Sequence, residues 1–502
     1  MTPRIVALVV FAGVLVACGP RAGSPASSTV IVAYPGTEGD MNPAVDGYSK
    51  FLVFLPLVAM RADGELEGRL ARSWEHSPDW REWTFHLRSD VRWHDGVPVT
   101  ARDVEFTFAL LASPEVDEIT SHAFEAVTVQ DDSTFTVRTG DVYGFTSLIW
   151  DVCLPKHLLQ GLALKDIAAW KFWLHPVGDG PYRFLRQVPK TLMEFEANPD
   201  YYRDKPRIER VVLRFLGNAG LAELLSGGVD VLYATSPTNL RLLAKDPRFR
   251  VYNSCCDDTY GIFWNNRLPL FQDSRVRRAL TLAIDRQELR QVLDFPPTIP
   301  VVDGPYTDRQ LRRGDLPTPV PHDTARARAL LEEAGWSDTD GDGVRERDGR
   351  PFRFSAIVSA GPGKSALAVY VQEQLRRVGV HMEIQPVERG RPSDGDFDAI
   401  IRLMCLCPDG WRREFGDSSS TGYHNARAAQ LLRRLPLVTD PNEDDRIRRE
   451  VAEVFQTDPP ATFFFPQPMT MVAHRRIRGL SSLWRADPLM YMDELWLEDR
   501  TP

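Results

Sequence analysis

The stretch of sequence that decides the fold is residues 91–107, which read Val91-Arg92-Trp93-His94-Asp95-Gly96-Val97-Pro98-Val99-Thr100-Ala101-Arg102-Asp103-Val104-Glu105-Phe106-Thr107. Its first half contains His94-Asp95-Gly96, which is typical of a turn because aspartate and glycine both favour turn backbone. Its second half predicts a helix that begins after Thr100. Threonine is a good N-cap, and Asp103 stands three residues on, where a capping-box acid belongs.

Outward from this run, strand patterns alternate with helix patterns. β-Branched residues predict a buried strand over 29–34, and alternation predicts another over 82–88. Apolar residues at helical spacing predict one helix over 274–293 and another over 366–378, which Gly379 ends. We therefore predict an α/β chain, and no repeat period is visible in it.

Length and charge exclude several classes of protein. The chain has 502 residues, 43% of them hydrophobic and 26% charged, which is ordinary for a folded protein and a poor match to disorder or a coiled coil. At about 150 residues per domain, this length predicts roughly three domains. The 60 basic and 69 acidic residues leave a formal net charge of −9. This charge argues against a nucleic-acid partner, because such binders usually carry a basic surplus.

The N-terminus predicts export and a lipid anchor. Arg4 precedes an apolar run over 5–17, which is too short to span a bilayer comfortably and suits a signal peptide. The run ends Leu15-Val16-Ala17-Cys18-Gly19, which resembles a bacterial lipobox with Cys18 as the lipidated residue. A flexible tether follows to Ser28. An ordinary signal peptide with an incidental cysteine is the alternative.

The sequence lacks convincing arrangements for catalysis or cofactor binding. We find no G-x-S-x-G or H-E-x-x-H arrangement, and residues 361–365 lack the first glycine of a phosphate-binding loop. Asp338, Asp340 and Asp342 begin like a calcium loop, but Gly349 stands where the closing glutamate belongs. A structural calcium site and a polar turn both stay open there. We expect no enzyme activity and no cofactor.

Further segments on both sides of residues 91–107 complete a family pattern, in order from about residue 30 to residue 488. They are Leu70–Glu75, Trp83–Arg88, Leu154–Leu158, Pro176–Tyr182, Asn198–Tyr202, Leu225–Val231 and Asp273–Arg286. Together these segments resemble the family 5 extracytoplasmic solute-binding proteins, the dipeptide and oligopeptide receptors of ABC importers. The resemblance implies an α/β, bilobal periplasmic-binding-protein (venus-flytrap) fold with an additional subdomain in the first lobe.

The resemblance also implies the domain boundaries. We expect a lipoprotein signal peptide over residues 1–17, a lipidated tether over 18–28, a discontinuous first lobe over 29–268 and 471–502 with its subdomain at about 59–167, and a second lobe over 269–470.

The function that the resemblance implies is that of an extracytoplasmic receptor. Such a receptor captures a peptide or peptide-like solute between its lobes and delivers it to the permease and ATPase subunits of an ABC importer. We expect a monomer, held at the membrane by its N-terminal lipid. The alternatives are the same fold with a metal chelate, opine or sugar as ligand, a lipoprotein sensor or chaperone, and a secreted hydrolase.

Family members draw ligand contacts from three places: after the first strand, from the strand before Asn265-Asn266, and after a second-lobe strand. These places imply six ligand-binding residues: Thr37, Glu38, Phe263, Trp264, Asp409 and Trp411. In the third place, peptide-binding members commonly read Trp-x-Ala-Asp-Tyr, with the aspartate paired to the peptide's α-ammonium. Asp409 can take that position, although the flanking Ala and Tyr are missing. A solvated turn role for Asp409 and a core role for Trp264 and Trp411 stay open.

Five cysteines remain after Cys18, an odd number that leaves at least one thiol free or paired between chains. Cys255-Cys256 and Cys405-x-Cys407 lack the C-x-x-C spacing of a metal cluster, so a disulfide between the two pairs is favoured over a metal site. In the layout that the family implies, both pairs adjoin the cleft. Our choice of partners is Cys256 and Cys407, and Cys153 stands apart.

Overall fold

The computed structural model describes residues 28–35, 49–60, 66–79, 81–111, 124–139, 152–162, 166–167, 171–233, 237–297, 299–304, 306, 317–359, 364–387, 397–405, 408–416, 419–435, 438, 440–480 and 488–498. The strands are β1 Thr29–Ala33, β2 Val58–Met60, β3 Leu66–Gly68, β4 Ala71–His76, β5 Glu82–Leu87, β6 Phe124–Val129, β7 Thr134–Thr139, β8 Tyr182–Val188, β9 Leu192–Ala197, β10 Arg210–Arg214, β11 Val231–Tyr233, β12 Phe249–Trp264, β13 Glu346–Arg347, β14 Arg350–Pro351, β15 Arg353–Ser359, β16 His381–Val387, β17 Ala399–Cys405, β18 Ala461–His474, β19 Ile477–Arg478 and β20 Trp496–Leu497.

The α-helices are α1 Lys50–Val53, α2 Ala101–Leu111, α3 Lys156–Leu159, α4 Gly220–Ser226, α5 Pro237–Leu243, α6 Ser274–Ala283, α7 Arg286–Val292, α8 Thr324–Glu333, α9 Lys364–Arg376, α10 Pro408–Phe415, α11 Ala426–Arg434 and α12 Pro441–Thr457. Short 3-10 turns cover Lys171–Leu174, Gly217–Ala219 and Pro488–Glu494.

A mixed sheet runs through both lobes; its ten described strands follow the order β16-β15-β17-β12-β18-β11-β1-β10-β9-β8. In the first lobe β1 is parallel to β10 and β11, and in the second lobe β15 is parallel to β16 and β17. The long strands β12 and β18 join the two groups and pair antiparallel with each other, from Phe249 opposite His474 to Phe263 opposite Ala461. They are the two strands that cross between the lobes, which confirms the bilobal α/β fold.

Each lobe has its own hydrophobic cores. Along β12, Phe249 packs into a first-lobe core, whereas Tyr260 and Trp264 pack into a second-lobe core. Along β18, Phe465 belongs to the second-lobe core and Met471 to the first. The chain therefore first changes lobe within β12, ahead of the boundary that we expected at residue 268, because side chains on the two sides of the crossing pack into different cores.

The run at residues 91–107 lies in the subdomain of the first lobe, whose antiparallel sheet has the strand order β4-β5-β7-β6. The predicted helix cap is confirmed: the backbone N–H and hydroxyl of Thr100 both donate to Oδ2 of Asp103, at 2.9 and 3.0 Å. The predicted turn is held against a distant loop, since the His94 backbone N–H donates to the Gly178 carbonyl at 2.7 Å. A Cβ on Gly180 would lie 2.6 Å from the Val53 carbonyl carbon, so this loop needs glycine to approach the chain so closely.

The single helix that we predicted over 274–293 is two helices, α6 and α7. Asp273 caps α6 by accepting a hydrogen bond from the Arg275 N–H, and Asp285 caps α7 by accepting from the Gln287 and Glu288 N–H groups. An N-cap residue needs non-helical backbone. Asp285 therefore interrupts a helix that the apolar spacing alone would continue.

Within the described part of the chain, no helix combines the length and the apolar character that crossing a membrane requires.

Candidate functional site

Ligands of open sheets with parallel strands bind beyond the carboxyl ends of those strands. The parallel strands of the first lobe end at Ala33, Arg214 and Tyr233, and those of the second lobe end at Ser359, Val387 and Cys405. These two edges are the natural walls of a ligand site.

The hinge strands set the two edges facing each other. β11 runs towards the second lobe and ends with Tyr233 opposite Met471 of β18. β17 runs towards the first lobe and ends with Cys405 opposite Asp258 of β12. Between these two points the hinge strands continue for five residues on β12 and four on β18, which is about 13–17 Å at the rise of an extended strand. We call this gap the cleft; residues 253–257 of β12 and 467–470 of β18 cross it.

Five large side chains form the last row of the first-lobe sheet before the cleft. Tyr34 directly follows β1 and Phe215 directly follows β10, and the Tyr34 N–H donates to the Arg214 carbonyl at 2.9 Å. Tyr34 also stands beside Tyr233, because Ala33 pairs with Leu232. Met471 lies opposite Tyr233 on one side and opposite Tyr252 on the other. We call Phe215, Tyr34, Tyr233, Met471 and Tyr252 the aromatic row.

The aromatic row is continuous and lies on one face of the sheet. All five side chains belong to, or pack against, the larger first-lobe core. The Tyr34 ring centroid is 6.3 Å from that of Phe215 and 6.4 Å from that of Tyr233, the latter in an edge-to-face arrangement. Tyr34 and Tyr233 are buried, whereas Phe215 and Tyr252 are half-buried.

Polar groups stand on the second-lobe side of the cleft. Asp258 and Gln467 are half-buried and lie on the two hinge strands. Deeper in the second lobe, Nη2 of Arg402 is 2.7 Å from Oε2 of Glu414, and the Arg402 guanidinium lies 4.7 Å from the Phe263 ring centroid. The Glu414 carboxylate neutralises the Arg402 guanidinium, so this arginine has a structural role within the second lobe.

The structure places Phe263 and Trp264 in the cores of the second lobe, both fully buried. Successive side chains of a strand point to opposite faces of the sheet. Accordingly, Phe263 stacks on Phe415, 6.2 Å away, and Trp264 stacks on Phe271, 5.3 Å away, in separate cores. This packing favours the core role over our pocket prediction for both residues.

Trp411 is also fully buried and lies among the aromatic residues of a second-lobe core. Its ring centroid is 5.3 Å from Phe463, 5.5 Å from Phe415 and 6.0 Å from Phe455. The core alternative that the sequence left open is therefore the one that the packing favours.

Other predicted residues fall outside what the structure describes. Thr37, Glu38, Cys18 and Cys407 lie outside the described residues. Asp409 lies in α10 and Cys256 in β12, but the description of these two residues is confined to their backbone. Cys153 is a buried free thiol.

The acidic turn in the second lobe brings four carboxylates together and fits both the calcium site and the polar turn that the sequence left open. Ligand oxygens of Asp338, Asp340, Asp342 and Glu346 lie within 4.8 Å of one another. Asp338 accepts hydrogen bonds from the Gly341 and Gly343 N–H groups at 2.8 and 3.1 Å, which hold the turn and still leave each oxygen a lone pair. The three aspartates are exposed and Glu346 is half-buried.

Sequence reasoning missed the aromatic row. Tyr34 ends the apolar run that we predicted as the first strand, and Phe215 lies within the strand pattern of residues 211–216. The signal that could have found them is an aromatic residue at the end of each parallel strand. Their common row, however, depends on strand register, which the sequence does not show.

A family model for bacterial extracellular solute-binding proteins, family 5 Middle, matches residues 65–423. Among curated proteins, the chain is similar to the oligopeptide-binding protein AppA of Bacillus subtilis (strain 168), with 26% identity over 459 residues that cover 86% of this chain and 82% of AppA. The segment that the family model matches contains the run at residues 91–107.

Solved structures show the same fold. The structure of AppA from Bacillus subtilis in complex with a nonapeptide has a TM-score of 0.79 at 24% identity, covering 94% of this chain and 99% of that one. The structure of NikZ from Campylobacter jejuni in complex with Ni(L-His) has a TM-score of 0.78 at 23% identity, covering 91% and 96%. The chain belongs to the bacterial extracellular solute-binding proteins of family 5, which are binding proteins and not enzymes.

Proposed function

We propose that this protein captures a peptide or peptide-like solute in the cleft and delivers it to the permease of an ABC importer. The observation that carries the proposal is the opposition of the two carboxyl edges across the hinge strands. The similarity to an oligopeptide-binding protein over most of both chains supports a peptide as the ligand.

The mechanism that follows from this layout is hinge closure. A ligand that contacts both edges stabilises the arrangement in which the lobes are close, and binding shifts the population towards it. The backbone bends at residues 253–257 and 467–470 when the lobes close. These two segments cross the cleft between the last residue pair of the first-lobe sheet and the first residue pair of the second-lobe sheet. The permease then receives a closed complex.

A second candidate ligand is a metal chelate. NikZ, which was solved with Ni(L-His), has nearly the same TM-score to this chain as AppA, so the fold suits both kinds of ligand. An opine or sugar ligand, or a sensor or chaperone role without import, would use the same cleft.

Two tests separate these functions. Protein purified without denaturation is heated to release its ligand, and mass spectrometry identifies the released compound. Titration calorimetry with short peptides then measures affinity. A released peptide and micromolar or tighter peptide binding support the proposal, whereas release of a nickel chelate and no peptide binding contradict it.

We also propose that Thr37, Glu38 and Asp409 contribute to the cleft. Thr37 and Glu38 follow Tyr34, the residue after β1, by only three and four positions in the sequence. Asp409 lies at the start of α10, directly after β17 reaches the same cleft from the other lobe. Asp409→Asn should weaken binding of free-amine peptides and spare N-acetylated ones; equal affinity of both proteins for a free-amine peptide would remove Asp409 from the site.

A disulfide between Cys256 and Cys407 is a further proposal. In the antiparallel pairing of β12 and β17, Asp258 stands opposite Cys405. Cys256 precedes Asp258 by two residues in the sequence, and Cys407 follows Cys405 by two. A disulfide needs the Cα atoms of its cysteines about 4.4–6.8 Å apart, so the proposal requires the chain beyond Cys405 to stay beside β12. Non-reducing peptide mapping tests it: a Cys256–Cys407 cross-linked peptide is expected, and two free thiols would contradict it.

The N-terminal lipid anchor, the extracytoplasmic membrane location and the monomeric state complete the proposal. The lipobox-like run before Cys18 and the tether that follows it support the anchor. Cys18→Ser should release the protein from membranes into the soluble fraction. Sedimentation of the released protein should give the mass of a monomer.

A further inference from the structure

The aromatic row occupies the position in the first lobe where a ligand held in the cleft would first meet protein. Tyr233 is the last residue of β11, and Tyr34 and Phe215 come directly after the last residues of β1 and β10. The row therefore forms the rim of the sheet on one side of the cleft. Tyr252 extends the row onto a hinge strand, so it reaches the floor over which the ligand would lie.

The burial of the row differs along its length. Tyr34 and Tyr233, at 5% and 7% exposure, rest on the first-lobe core, whereas Phe215 and Tyr252 at the two ends are half-buried. The inner part of the row is thus held rigidly by packing. Its two ends are less completely buried than its middle.

Three of the five residues are tyrosines, which suit a boundary between apolar core and water. A tyrosine ring buries apolar surface, while its hydroxyl finds a polar partner at the wet end. The Tyr34 hydroxyl accepts a hydrogen bond from the N–H of the buried Ser49 at 3.3 Å, which fixes the direction of the ring.

The chemistry of the row is uncharged and rich in π faces. We propose that the aromatic row selects ligands that carry aromatic side chains, by offset or edge-to-face contact of their rings with Phe215 and Tyr252. This inference rests on the proposed capture of peptides and names the peptide class. Aromatic pairs add stabilisation beyond their buried area, so the preference over an alanine-only peptide should be about tenfold.

The experiment uses two probes, the peptides Ala-Phe-Phe-Ala and Ala-Ala-Ala-Ala, titrated into the full soluble protein by calorimetry. The variants are Phe215→Leu and Tyr252→Leu, which change the half-buried ends of the row and keep an apolar side chain. The matched control is Phe184→Leu: Phe184 is also a half-buried aromatic residue of the first-lobe sheet, but it lies on β8 at the far end, beside Phe195. Thermal unfolding of each variant shows that it is folded.

We expect the wild type and Phe184→Leu to prefer the phenylalanine peptide by about tenfold. Phe215→Leu and Tyr252→Leu should lose most of this preference, because they bind the phenylalanine peptide more weakly. Peptide binding with an unchanged preference in both variants overturns the role of the aromatic row and leaves the proposed function standing. Binding of neither peptide by the wild type contradicts the proposed function, and with it this inference.

Discussion

Arg241, on α5 of the first lobe, forms an ion pair with Asp294, which follows α7 in the second lobe. The pair joins two segments that are otherwise connected through the hinge strands, so it depends on the relative position of the lobes. Asp294 has a positive φ of 59°, which aspartate and asparagine tolerate better than most residues. The Arg241 side chain is 62% exposed and that of Asp294 is 30% exposed, so solvent screens the pair.

The first prediction concerns this cross-lobe pair. Asp294→Asn keeps the backbone preference and removes the charge, so we expect it to shift the distribution of lobe arrangements away from the one described. The shift should be small, because an exposed ion pair contributes about 0–1 kcal/mol. Fluorescence energy transfer between dyes on the two lobes measures it, at low salt and at high salt. Asp348→Asn is the matched control, since Asp348 also has a positive φ, of 54°, in an exposed turn of the second lobe. Identical distributions for both variants at low salt would contradict the prediction.

The second prediction concerns Asp179, in the loop that packs against residues 91–107. Burial raises the pKa of Asp179 to about 8, although its Oδ1 accepts a hydrogen bond from the Leu55 N–H at 2.9 Å. The folded protein therefore holds this proton more tightly than the unfolded chain, whose carboxyl has a pKa near 3.8. The stabilisation is complete below about pH 4 and is lost as the pH rises to about 8.

Urea unfolding at several pH values checks this expectation. Asp179→Asn removes the titrating group, so the free energy of unfolding should fall less steeply between pH 5 and 8 than in the wild type. A single proton gives at most about 1.4 kcal/mol per pH unit. Parallel curves for the two proteins would show that Asp179 is not protonated in the fold.

The third prediction has the opposite sign and concerns His94. Burial lowers the pKa of His94 to about 4. Its Nε2 lies 3.1 Å from the Gly180 carbonyl and its Nδ1 accepts from the Gly178 N–H at 3.3 Å, which together define a neutral ring. The unfolded chain takes up a proton near pH 6.5, so the stabilisation is present above that pH and is lost as the pH falls to about 4. His94→Asn should be less stable at pH 7 but lose less stability between pH 6.5 and 4.5; chemical denaturation measures both. The prediction would be contradicted if the free energy of unfolding of His94→Asn fell between pH 6.5 and 4.5 as steeply as that of the wild type.

The fourth prediction concerns the buried Arg69–Asp493 pair, which ties the C-terminal segment to the subdomain. Nη1 of Arg69 is 2.9 Å from Oδ2 of Asp493, and the two side chains are 1% and 3% exposed. Asp493→Asn would remove the nearer carboxylate from the buried guanidinium, which would keep only that of Glu494 at 3.8 Å, and should cost about 3 kcal/mol of the free energy of unfolding. The control is Glu125→Gln in the exposed Arg138–Glu125 pair, which should cost less than about 1 kcal/mol. Equal costs for the two variants would refute the prediction.

The sequence predicted structure correctly where the interacting residues are close together in the chain. The cap of α2 joins Thr100 to Asp103, three residues on, and the pattern predicted it correctly. The one helix that we predicted over 274–293 failed for a local reason as well, because Asp285 is a second N-cap within an unbroken apolar pattern. The aspartate that begins the second helix was visible in the sequence, but the apolar spacing over residues 274–293 was the stronger pattern.

The predicted and observed roles of two tryptophans differ because their packing depends on the tertiary structure. Trp264 and Trp411 are large aromatic residues near cleft segments in the sequence, but the sheet turns Trp264 towards one core, and α10 turns Trp411 towards another. Whether an aromatic residue fills a core or lines a site depends on the face on which it lies and on what packs there. Neither can be read from residue type alone.

The amino-acid sequence by itself determined the turn and capped helix of residues 91–107, the α/β class and the family, because these depend on residues that are close in the chain or on an ordered set of short segments. Only the tertiary structure decided which residues share the aromatic row and that Arg241 meets Asp294. These neighbours come from distant segments, and strand register and lobe packing bring them together. The cleft is thus a property of the assembled sheet, whose register depends on pairing between segments far apart in sequence.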